Sequence, residues 1–362
     1  MARLSHGAYD DASRNYDAVL YLSFGGPEGR DDVMPFLENV TRGKGVPSER
    51  LAEVARHYYE FGGVSPLNAQ NRAVIESLRE ELERSGPRLP VYWGNRNWRP
   101  FLTDTMHRMR TDGVRRAICF VTSAYSSYSG CRQYREDIAA ARAEVGDDAP
   151  EIDKLRVFFN HPGFVMPLTE NVRAALQAVP QSRRADAHIA FSAHSIPMSA
   201  AETSSYVQQL RETSRLVVEG LGGDFAWELV YQSRSGPPQV PWLEPDVVGH
   251  LEKLHAQGVT DVALVPVGFV SDHMEIRFDL DVEAVEAAAP LGLNMVRAGT
   301  VGAHPAYVRM IRDLIAERMS ESPARPALGD FPASHDICAA DCCPAPVRPG
   351  SKPRPAAAQL PP

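Results

Sequence analysis

Short apolar runs alternate with longer amphipathic stretches along most of the chain. Residues 16–24 (YDAVLYLSF), 91–96, 117–123 and 155–160 form the runs of the first half. They are of strand length and apolar almost throughout, the mark of strands covered on both faces of a parallel sheet. Between them lie helical patterns at 31–40, 49–61, 70–84 and 101–111, and another that begins at Cys131. The second half repeats the alternation. Strands are expected at 188–194, 225–233, 261–269 and 293–299, with helices at 164–179, 203–221, 246–256 and 305–319. Four strands in each half, alternating with helices, predict an α/β chain of two similar Rossmann-like lobes. Each lobe is a four-stranded parallel sheet flanked by helices, with right-handed crossovers. The lobes span 16–160 and 161–320, and the cleft between them is the default site.

The ends read differently. Residues 1–15 are polar, lack periodicity and are expected to be disordered. Beyond residue 320 the chain turns rich in Pro and Ala. Residues 321–343 form a C-terminal extension that carries cysteines, and 344–362 are expected to be a disordered tail. The 362 residues are 44% hydrophobic, enough for a real core. A net charge of −8 argues against nucleic acid as a partner. No apolar run has the length of a transmembrane segment, and the N-terminus has no apolar signal region. A cytoplasmic protein is expected. In that compartment cysteines serve as thiols or metal ligands rather than disulfides. Gly25, Gly26 and Gly29 match neither a dinucleotide fingerprint nor a phosphate loop.

Residues 265–283 (VPVGFVSDHMEIRFDLDVE) concentrate the chemistry. An apolar run, 263–270, has Pro266 and Gly268 inside it, and the chain then becomes acidic. Glu275, Asp279 and Glu283 recur every fourth residue, so an α-helix stacks them on one face. Such a ladder is ordinarily a solvated surface. This one starts at the carboxyl end of a buried strand, where open α/β sheets build their sites. His194 closes another strand in the same lobe, followed by Ser195, Ile196 and Pro197. A loop histidine bonded to backbone is one reading. Proton transfer or metal ligation is the other. Tyr125–Tyr128 and the 93–100 loop offer aromatic rings, hydroxyls and arginines to a flat ligand that carries carboxylates. Tyr231–Ser233 and Trp242 would line the opposite wall.

Three segments then carry a resemblance: Ser192–Pro197, Tyr231–Ser233 with Pro241–Asp246, and Val265–Glu275. With Leu22–Pro27 and Gly62–Leu67, their order and spacing resemble ferrochelatases from about residue 16 to 318. Within that family the actinobacterial coproporphyrin branch is the most similar. The resemblance implies a lyase of heme biosynthesis that inserts Fe²⁺, its substrate, into a porphyrin in the cleft, with release of two protons. It implies that His194 and Glu275 are catalytic. Metal contact is implied for both, with Asp279 and Glu283 as the outer ladder. His194 stays open as base or iron ligand, and the ladder as proton exit or iron entry. Arg42, Ser65 and Tyr128 match propionate-holding positions. Phe24 stands where some relatives carry tyrosine; a phenyl ring cannot ligate iron, so only substrate contact is expected of it.

Cys119 sits mid-strand and reads as a core residue. Cys131, Cys338, Cys342 and Cys343 remain, and four thiolates are what a [2Fe–2S] cluster requires. One internal and three C-terminal cysteines resemble cluster-bearing ferrochelatases. A monomer is expected, in transient contact with neighbouring heme-pathway enzymes. The mixed segment 32–47 does not read as a membrane-dipping lip, which favours coproporphyrin III over protoporphyrin IX. Two alternatives stand: another chelatase, inserting Co²⁺ or acting on sirohydrochlorin, and a non-catalytic heme carrier or iron–sulfur sensor.

Overall fold

The computed structural model describes residues 15–346, apart from Pro237. The ends expected to be disordered fall, for 1–14 and 347–362, outside the described residues. The first lobe holds β1 (Ala18–Ser23), β2 (Val91–Asn95), β3 (Arg116–Val121) and β4 (Glu151–Lys154), all parallel, in the order β2-β1-β3-β4. The second holds β5 (His188–His194), β6 (Trp227–Gln232), β7 (Asp261–Val265) and β8 (Asn294–Arg297). Its order, β6-β5-β7-β8, reproduces that of the first lobe. The two parallel sheets flanked by helices are therefore as the periodicity indicated.

Three local expectations are corrected. The fourth strand is Glu151–Lys154, not residues 155–160. Glu151–Lys154 is a polar edge strand with one partner, so it need not be apolar. The apolar run after it connects the lobes, and Leu155, Val157, Phe158 and Phe159 are buried in the core that the lobes share. Secondly, β7 stops at Val265. Pro266 has no N–H to continue the ladder. Gly268 then runs so close to β5 that a Cβ there would lie 2.7 Å from that of Ala193. Thirdly, Ile276–Glu283 is a π-helix, wider than the α-helix expected.

The core is continuous from one lobe to the other. Tyr21 and Phe120 of the first sheet meet Phe158, Phe164 and Tyr307, and the same cluster reaches Phe191 of β5. Arg156, in the connector, forms a buried bidentate pair with Glu317 of the last helix, Pro305–Met319, at 2.8 and 3.0 Å. Helices Arg30–Val40 and Ser48–Glu60 form a smaller cluster of their own around Phe36, Leu51 and Trp98. Among the described residues no helix is long and apolar enough to cross a membrane.

Candidate active site

β5 delivers His194 to the carboxyl edge of the second sheet, beside Gln232 of β6 in register. The next turn is fixed by backbone pairing. Leu243 N–H donates to Ile196 O, Met198 N–H donates to Pro241 O, and the Ser195 hydroxyl donates to Leu243 O at 2.9 Å. This seats the half-buried Trp242 beside the His194 loop. The Nδ1 atom of His194 meets the Ser195 carbonyl. A carbonyl only accepts, so Nδ1 carries a proton, and in the neutral ring the lone pair sits on Nε2. That Nε2 lies 3.8 Å from Glu275 Oε1.

Met274 and Glu275 open the helix that widens into the π segment. His273 contacts the same carboxylate at 3.9 Å, and its Nδ1 accepts from Glu275 N–H at 3.2 Å. Burial holds the His273 imidazole below its ordinary range, against the pull of the Glu275 charge, so it stays neutral. Asp279 is half-buried and accepts from Gln232 Nε2 at 3.2 Å and from the Ser233 hydroxyl. Burial, then the nearby Glu275 charge, pushes its carboxyl up to about 7, with the Ser233 hydrogen bond opposing. Glu283, at the exposed end, is raised by partial burial and then by Glu286. The structure thus brings His194, Glu275 and Asp279 together, and Glu283 continues the row along the π-helix.

The groups expected against substrate separate. Phe24 follows β1 as His194 ends β5, the equivalent position in the other lobe, and is 38% exposed. Arg42 is exposed and lines, with Trp98 and Arg99, a recess of about 480 Å³ that includes neither His194 nor Glu275. Ser65 is 4% exposed, and its hydroxyl accepts from Leu67 N–H. Tyr128 donates to Glu136 at 2.9 Å. Tyr125 is 2% exposed and donates to Val267 O at 2.8 Å, so it joins the lobes rather than facing a ligand. The Gln70 side chain accepts from Asp272 N–H, and His57 stacks on Phe278, both across the cleft.

The cysteines converge at a second place. Cys131 lies in a short π-helix, Tyr128–Arg132, at the head of the helix Gln133–Val145. The tail returns to it. Arg132 donates to the carbonyls of Ala340 and Cys342, and Arg135 to that of Ala339. Cys131 neighbours Cys338, Cys338 neighbours Cys342, and Cys342 Sγ lies 3.7 Å from Cys343 Sγ. Four sulfurs in one contiguous group fit the donor set of a [2Fe–2S] cluster. His335 also belongs here, since its ring nitrogen and the sulfurs of Cys338 and Cys342 lie within 4.8 Å of one another. Sequence reasoning missed it, although the His-x-x-Cys spacing was available. Cys119 is fully buried in the first lobe's core.

The fold is that of the chelatases. SirB from Bacillus subtilis, solved with Fe³⁺, superposes with a TM-score of 0.53 at 11% identity, covering 84% of this chain and 96% of that one. At that identity the likeness speaks for the fold alone. The ferrochelatase family model matches residues 16–319, and the chain belongs to the ferrochelatase family. A protein of Streptomyces griseus named coproporphyrin III ferrochelatase is 52% identical, over 95% of this chain and 96% of its own length. A ferrochelatase of Rhodopirellula baltica is also 52% identical, over 91% and 93%.

Proposed function

We propose that this chain inserts Fe²⁺ into coproporphyrin III, with the row His194, Glu275, Asp279 and Glu283 serving the exchange of two protons for one metal ion. The observation that carries it is the free Nε2 of His194 beside Glu275, with a near-neutral carboxyl at Asp279 next in line. A flat porphyrin keeps its nitrogen lone pairs in the ring plane. A cleft that buckles the ring turns them outward, at the expense of binding energy gained elsewhere on the substrate. Nε2 of His194 takes a pyrrole proton, and the hydrogen-bonded Nδ1 keeps the ring in the tautomer that can do so. Glu275 stabilises the imidazolium that results. Asp279, poised near 7, accepts and releases protons at neutral pH. Glu283 opens to solvent. Relatives named coproporphyrin III ferrochelatase support the tetracarboxylate substrate. A steady-state comparison should give at least tenfold higher kcat/KM for coproporphyrin III than for protoporphyrin IX; parity or reversal would overturn this choice.

Cys131, Cys338, Cys342 and Cys343 would hold a [2Fe–2S] cluster, which supplies a one-electron redox centre when bound. The contiguous sulfurs support that reading. The His335 contact favours a competing occupant, a single tetrahedral ion. Iron and acid-labile sulfide in anaerobically prepared protein decide between them. Cys131→Ser should abolish the visible absorption of the cluster.

A further inference from the structure

His335 reaches the cysteine group from a loop that is fastened on both sides. Arg325 donates to Ser334 O at 2.6 Å and pairs with Asp336 at 3.0 Å, so one guanidinium grips the residue before His335 and the residue after it. That arginine is itself anchored, because its Nε lies 3.1 Å from Glu317, the carboxylate that holds Arg156. Further along the loop, Arg132 and Arg135 engage the carbonyls of Ala339, Ala340 and Cys342. An exposed histidine in a loop ordinarily moves freely, and holding it costs conformational entropy. Here both of its neighbours are fixed, and its ring nitrogen and the sulfurs of Cys338 and Cys342 lie within 4.8 Å of one another. Among the described residues no other three His, Cys, Asp or Glu donors lie so close together. Around a tetrahedral ion, nitrogen at about 2.0 Å and sulfur at about 2.3 Å stand about 3.5–3.8 Å apart. The three donors need to draw in by only about 1 Å to meet such an ion.

We propose that His335 is a metal ligand of the tail site, which makes it a mixed nitrogen–sulfur site rather than one of four thiolates. This rests on the reading of a metal site in the tail, and it holds for either occupant, a [2Fe–2S] cluster or a single ion. Five donors gather where each of these takes four protein ligands. Cys338 and Cys342 belong to the compact trio with His335, so one of Cys131 and Cys343 is left over. The consequence is one of charge. A neutral imidazole in place of a thiolate removes one negative charge from the bound group. A cluster held in that way accepts an electron more readily, and a single ion gains the three-sulfur, one-nitrogen set that suits zinc.

The test uses the full chain, purified anaerobically as wild type, His335→Ala and His335→Cys, with iron, sulfide and zinc measured in each. Loss of a ligand costs more than loss of an outer partner, so His335→Ala should hold its metal at least about tenfold more weakly against a chelator. His335→Cys, which returns a donor, should keep it. Where iron and sulfide are found, pulsed electron spin resonance of the reduced wild-type cluster should show the nitrogen coupling of a ligating imidazole, and His335→Cys should lack it. That variant should also be reduced at least tenfold less readily, about 59 mV for one electron. Where zinc is found, cobalt exchanged into the site should show visible ligand-field bands that differ between wild type and His335→Cys. The wild-type nitrogen coupling needs no variant to fold. Wild-type metal retention in His335→Ala, with no nitrogen coupling in the wild-type cluster or with identical cobalt bands, would overturn the ligand and leave the site standing. Wild type that carries no metal and takes up no cobalt would remove the site, and this proposal with it.

Discussion

His194 can carry out its part only because one of its two nitrogens is committed. Nδ1 donates its hydrogen bond to the Ser195 carbonyl, which leaves Nε2 to face the substrate side. His194→Ala should therefore lower kcat for iron insertion by about 10²–10⁴-fold, whereas Glu283→Gln, at the exposed end, should cost less than tenfold. Wild-type turnover in the alanine variant would refute the assignment. Asp279 makes a prediction with two signs. Its carboxyl is raised from 3.8 to about 7 in the folded chain, so its ionisation opposes folding. The stability tied to its neutral form is full below about pH 4 and is lost as pH rises through about 7. At about 1.4 kcal/mol per pH unit, the ceiling is about 4 kcal/mol. Asp279→Asn should gain about 1–4 kcal/mol against urea at pH 8 and nothing at pH 4. It should also lose a rise in kcat centred near pH 7. His194 was legible in sequence because it ends a strand, and the acids because they repeat. Gln232 was visible only as a wall residue, because the hydrogen bonds it shares with Ser233 depend on a turn. Ser233 reaches Asp279 from a left-handed backbone, φ 58°, that no residue pattern announces.

At the scale of elements, the errors have one cause: apolarity reports burial, and a strand also needs a partner. Residues 155–160 are mostly apolar because two lobes close over them, and after the one bond from Leu155 N–H to Cys119 O they leave the sheet. Glu151–Lys154 pairs with β3 despite its charges, because an edge strand is covered on one side only. Likewise the row of acids proved to be a π-helix. Spacing alone did not separate the two helices, since residues four apart stay close to one face in either. The wall reading of Tyr125 failed for a related reason. An aromatic residue after a strand end faces either a cleft or the other lobe, and only the three-dimensional arrangement shows that its hydroxyl is taken by Val267.

The whole molecule depends on joints that no single segment reveals. Arg156 and Glu317, with side chains 0% and 4% exposed, fasten the connector to the last helix. Glu317→Ala would leave the Arg156 guanidinium buried and unpaired. It should destabilise the chain by about 3–5 kcal/mol, read as a lower urea midpoint at unchanged slope. Full stability in that variant would show the pair to be ornamental. The repeat of two similar parallel lobes was legible from the alternation alone, and the shared strand order was not. What it implies emerges only when the two π segments are compared. Each follows the third strand of its lobe, one bearing Cys131 and the other the residues from Ile276 to Glu283. In effect, each is a helix with one residue inserted beyond what its hydrogen bonds need. Excision of that residue would let the helix tighten and would rotate everything after it by about 100°. Among the described residues the chain keeps this surplus twice, at matching places, and both times beside groups able to grip a metal.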